Sequence, residues 1–80
     1  MTTDDLLLLA NAYAEERNLK ISTVSSYAAN DGKFFDRLSE GAGCTLKTAT
    51  RLLIWFSENW PAELEWPASI ARPSKKKDAA

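Results

Sequence analysis

Apolar positions recur along this chain with a helical period and never in strict alternation. Leu6, Leu9, Ala10 and Tyr13, with Arg17 continuing the spacing, predict a first helix whose Leu6–Tyr13 stripe faces a core. Thr2 or Thr3 can cap it, Asp4 and Asp5 suit the positive end of its dipole, and Asn18 is a left-handed stop. Ser22 is the expected N-cap of a short second helix running to about Ala29. Asn30-Asp31-Gly32 is the strongest turn signal, and Asp31 can cap a third helix, Lys33 to Glu40, with Phe35 and Leu38 inward. After Gly41-Ala42-Gly43, Thr45 caps a fourth helix in which Ala49, Leu52, Leu53, Phe56 and Trp60 share one face. Pro61 disfavours helical geometry at Trp60, so this helix should end near Asn59. Pro61–Trp66 is expected to form one turn, and Trp66–Ile70 to lie extended against the bundle.

The fold class is therefore all-α: a four-helix bundle with one short C-terminal turn. Eighty residues, 45% of them apolar, allow one such core but not two. Residues 1–70 form the domain, and residues 71–80, with Lys75, Lys76 and Lys77, a basic disordered tail. The longest apolar run of the first helix, Leu6–Ala10, is five residues, far short of the ~20 a membrane span needs. A lone cysteine, Cys44, can form no intrachain disulfide. No signal-type leader opens the chain, and a cytoplasmic setting without membrane contact is the expectation.

Net charge is −1, so composition does not announce nucleic-acid binding. Its distribution adds more. Arg17 to Arg51 holds six basic residues against three acidic ones, bracketed by acidic stretches. There is no histidine, no glycine-rich phosphate loop and no cluster of metal ligands, so neither an enzyme nor a cofactor is expected.

Helix, tight turn, helix is the geometry in which one helix braces across the DNA backbone while the next enters the major groove. It requires a small residue where the helices cross and apolar residues on the inner face of the second. Residues 21–41 meet these demands, with Ser25 at the crossing, Val24, Ala28 and Ala29 inward, then Phe35 and Leu38 inward. Lys33, Phe34, Asp36, Arg37 and Glu40 are left facing outward.

This run, with Phe35-Asp36-Arg37-Leu38-Ser39-Glu40-Gly41 followed by Thr45-Leu46-Lys47-Thr48-Ala49, resembles the helix-turn-helix family of Cro and lambda-repressor-type regulators of phages and prophages. The resemblance spans roughly Asp4 to Phe56. It implies base contacts from Lys33, Phe34 and Arg37, with Asp36 and Glu40 on the same face, and phosphate contacts from Lys20, Ser22 and Thr23. It also implies a phosphate clamp at Thr45–Thr48, from backbone N–H groups and Lys47. Two departures stand out. The usual turn glycine is absent at Ala29, which moves the turn to Asp31-Gly32, and Asp36 and Glu40 put negative charge on the reading face. A competing register also resembles a helix-turn-helix, of lactose-repressor type. In it Ala14–Leu19 leads through a left-handed Asn18 into Ser22–Ala29 as the recognition helix. Its serines and threonine carry no charge, and it leaves residues 41–48 unexplained, so the first register is preferred.

Trp55, Trp60 and Trp66 read as packing residues. Ile54 and Trp55, however, lie off the main stripe of the fourth helix and mark an expected homodimer interface. The expectation is a sequence-specific regulator that binds a pseudo-palindromic operator in double-stranded DNA as a homodimer and represses by occupying a promoter. The rival is an interaction module of the same fold, binding another regulator or RNA polymerase.

Overall fold

The computed structural model describes residues 3–72. Within them four α-helices follow one another: α1 (Thr3–Arg17), α2 (Ile21–Ala29), α3 (Phe34–Ser39) and α4 (Leu46–Asn59). No strand occurs among the described residues, and the fold is all-α, as the periodicity implies. Thr2 and most of the expected basic tail lie outside them.

The apolar stripes meet where their spacing sends them. Leu6, Leu9, Ala10, Tyr13 and Ala14 of α1 pack with Val24 of α2, Phe35 and Leu38 of α3, and Ala49, Leu52 and Phe56 of α4. Tyr13 stands edge-on to Trp55 and Phe56, with ring centroids 5.3 and 5.9 Å away. Ser25, at the expected crossing, is fully buried, and its Oγ accepts the Phe35 N–H at 3.1 Å. That N–H lies in the first turn of α3, where no intrahelical acceptor exists. One side chain thus makes room for the second helix and satisfies its orphan donor.

Helix ends are set by residues that tolerate positive φ. Asn18 (φ 59°) closes α1: its N–H meets the Glu15 carbonyl, and the Leu19 N–H meets that of Ala14 at 2.8 Å. Gly41 (φ 106°) closes α3 with the same pair of bonds, to Leu38 and Arg37. Both are Schellman ends, in which a left-handed residue turns the chain back onto the last free carbonyls. Asn30 (φ 57°) ends α2. It is therefore Asn30, and not Asp31-Gly32, that supplies the left-handed step of the second turn. Gly32 has a different reason to be small, since a Cβ there would stand 3.3 Å from Ser26 Oγ.

Several boundaries differ from expectation. Ser22 is not the N-cap of α2; the helix starts at Ile21 with Lys20 in the cap position, extended at ψ 153°. The tight α1–α2 turn leaves only Leu19 and Lys20 between Asn18 and the helix, so the cap falls where the chain is extended, regardless of side-chain preference. The third helix is shorter than Lys33–Glu40, because those two residues serve as its caps. Thr45 caps α4 as expected, accepting the Thr48 N–H at 3.1 Å.

Beyond α4 the chain folds back. Pro61–Leu64 makes the expected turn, but Pro67–Ile70 turns a second time where an extended run was expected. Two indoles hold this strap: Trp60 Nε1 donates to the Leu64 carbonyl at 2.8 Å, and Trp66 Nε1 to that of Ile70 at 2.7 Å. Arg72 lies 4.9 Å over the Trp66 ring and donates to the Ser57 carbonyl at 2.8 Å. Ile70 is buried in the core.

Ser25→Ala strands the Phe35 N–H in the interior and should cost about 1–3 kcal/mol. Urea denaturation read by tryptophan fluorescence measures this; an unchanged midpoint contradicts the role assigned to Ser25. At Asn30, alanine should cost about 1 kcal/mol and glycine close to nothing, since only the left-handed backbone is at stake.

Candidate nucleic-acid interface

α3 brings Lys33, Asp36, Arg37 and Glu40 to the surface, but it spans only six residues. Phe34, expected outward, is half-buried: it packs against the core with its ring edge-on to Phe35, centroids 5.3 Å apart. Two adjacent aromatics cannot both point inward on one helix, and Phe34 resolves this by lying at the edge. Arg37, the expected guanine reader, is engaged by an ion pair with Asp31. Asp31 also accepts the Lys33 N–H through Oδ1 at 3.0 Å. The Arg37 guanidinium, and after it this backbone N–H, hold the Asp31 carboxyl below the usual carboxylate range. With Asp31, Asp36 and Glu40 set against Lys33 and Arg37, the α3 face carries no positive excess.

α2 offers a different surface. Ser22, Ser26, Tyr27 and Asn30 are exposed along one side of it, with Thr23 half-buried among them, and Val24 and Ser25 occupy the opposite side. Tyr27, 60% exposed, is the largest side chain on this stripe. No residue of α2 is charged, while Arg17 and Lys20 stand exposed at the turn before it. The chain after α2 returns along the same stripe, because the Cβ position of Gly32 lies 3.3 Å from Ser26 Oγ and 3.8 Å from the Ser22 carbonyl. Exposed Lys33 follows immediately. The uncharged α2 stripe is thus preceded in the chain by exposed Lys20 and followed, after half-buried Asp31, by exposed Lys33, which joins residues from both sequence registers.

The expected clamp at the start of α4 is only partly available. Thr45 Oγ1 takes the Thr48 N–H and donates to Thr48 Oγ1 at 3.0 Å, so that N–H is already satisfied. Thr45 and Lys47 are exposed, and Leu46 between them is 79% exposed. Tyr27 and Asn30 are the surface residues that sequence reasoning missed. Tyr27 falls at the same spacing from Val24 as core residues do, so its exposure becomes legible only once the helix is docked. Among the described residues no group of His, Cys, Asp and Glu could hold a metal ion, and no helix is long and apolar enough to cross a membrane.

Comparison with protein-family models, with curated proteins and with solved structures returns no match.

Asp31 should titrate below an ordinary aspartate, and Arg37→Ala should move it back up; carbon-detected NMR of the carboxyl group reads both. Because the folded pKa is the lower one, the stabilisation is present above the unfolded pKa and is lost as pH falls through the folded value.

Proposed function

We propose that this protein is a sequence-specific double-stranded-DNA-binding transcriptional regulator that represses by occupying promoter DNA, with α2 as the helix presented to the major groove. The observation that carries the reading is the α2 stripe: Ser22, Ser26, Tyr27 and Asn30 on one exposed face, entered through a tight turn closed by left-handed Asn18. In that arrangement α1 braces the backbone and α2 reads, the docking geometry of a helix-turn-helix. Hydroxyl and amide groups can donate to or accept from base edges, and Tyr27 adds an apolar ring for a thymine methyl. Lys20 and Lys33, on either side of the stripe, would meet phosphates.

This favours the register that the sequence ranked second. The α3 face is short, holds its arginine in an ion pair and exposes two carboxylates near the phosphates it would have to approach. In the α2 reading Lys33 remains a contact, as a flanking phosphate ligand. The interaction-module reading, with another regulator or RNA polymerase as partner, keeps the near-neutral charge as its support.

Selection of bound sequences from a random duplex library, followed by binding measurements, tests the proposal. Ser26→Ala and Tyr27→Ala should each cost about 0.5–1.5 kcal/mol on the selected site and relax preference at one position. Lys33→Ala should weaken all duplexes alike and reduce the salt slope by about one. If Arg37→Ala and Asp36→Ala change the selected sequence while the α2 variants do not, α3 is the reading helix. Failure to bind any duplex at low salt would falsify the DNA reading and leave the interaction module.

A further inference from the structure

α4 carries a second surface, on the side away from the core. Ala49, Leu52 and Phe56 are buried, and Ile54 lies diametrically opposite them, 41% exposed. Lys47, Arg51 and Glu58 run along one flank of Ile54; Thr50 and Leu46 run along the other. Two shallow depressions border this ridge. One, of about 510 Å³, is lined by Leu46, Lys47, Thr50, Arg51 and Ile54. The other, of about 260 Å³, is lined by Ala28, Arg51, Ile54, Trp55 and Glu58. Among the described residues neither Arg51 nor Glu58 has an opposite charge within salt-bridge distance.

We propose that this face docks a second copy of the chain, with the two α4 helices antiparallel about a two-fold axis at Ile54. The charge order selects that occupant. A two-fold axis perpendicular to paired antiparallel helices keeps like flanks together and reverses their direction. Arg51, three residues before Ile54, then comes level with the partner's Glu58, four residues after it. The axial offset is one residue rise, about 1.5 Å. Both copies make this pair, so one interface holds two Arg51–Glu58 bridges around an Ile54–Ile54 contact, and Lys47 lies within one turn of the same carboxylate. A parallel two-fold arrangement brings opposite flanks together, so Arg51 and Glu58 face the partner's Thr50–Leu46 flank and neither gains an opposite charge. The surface is separate from the α2 stripe, and the proposal stands or falls without DNA.

Sedimentation equilibrium of the whole chain, without DNA, should show a monomer–dimer equilibrium that weakens with added salt. Glu58→Arg and Arg51→Glu should each weaken dimerisation roughly tenfold or more, and the double exchange should restore it. Ile54→Arg should abolish it, while circular dichroism shows the helices intact. A monomer at every concentration from micromolar to millimolar overturns the proposal, as does a dimer indifferent to both single exchanges or a double exchange that fails to recover. A monomer that still selects one duplex sequence overturns this interface and leaves the DNA reading standing.

Discussion

The bond from the Phe35 N–H to the Ser25 hydroxyl is the constraint on which the arrangement of α2 and α3 depends. A six-residue helix has little stability of its own, since nucleation consumes most of what its few hydrogen bonds return. α3 persists because Phe35 and Leu38 reach the core and because its first turn is anchored to α2. The anchor must be both small and polar: an alanine admits the helix and strands the donor, while a larger polar side chain blocks the approach. That double requirement selects serine at position 25. It also fixes how the α2–α3 loop returns along α2, and so where Gly32 and Lys33 fall beside Ser22 and Ser26.

Charge is distributed to match. α2 is uncharged along its whole length, α3 neutralises its arginine locally, and the exposed cations Arg17, Lys20 and Lys33 gather where the chain enters and leaves α2. On α4 the signs are separated along the helix, with Lys47 and Arg51 toward its start and Glu58 toward its end. A protein of net charge −1 can in this way keep surfaces of distinct electrostatic character a few turns apart. Surface pairs such as Arg37–Asp31 contribute little to stability in water. Their larger effect is on which side chains are left to meet a partner.

Much of the fold was legible in the sequence because it rests on local chemistry. Thr45 caps α4, Pro61 ends it, Asn18 takes the left-handed step, and Ser25 sits at the crossing, all as residue type and spacing predict. What could not be read depends on how elements dock. Lys20 outranks Ser22 as N-cap because turn length decided where the extended residue falls. Phe34 slips to the core's edge because Phe35 already fills the inward position. The Arg37–Asp31 pair joins residues six apart across a helix start, a spacing that no helical rule anticipates. Ile70 enters the core only through two successive turns tied by indole N–H groups. The helices of both sequence registers exist; their surroundings, not their patterns, separate them.

The uncharged stripe of α2 has a consequence for information. A serine hydroxyl rotates freely and serves as donor or acceptor, so a single contact excludes few of the four bases, whereas a bidentate guanidinium excludes three. In the proposed DNA reading, a surface built from Ser22, Ser26, Tyr27 and Asn30 would convey few bits per residue, and would have to gather them from many weak distinctions or by reading the same short word twice.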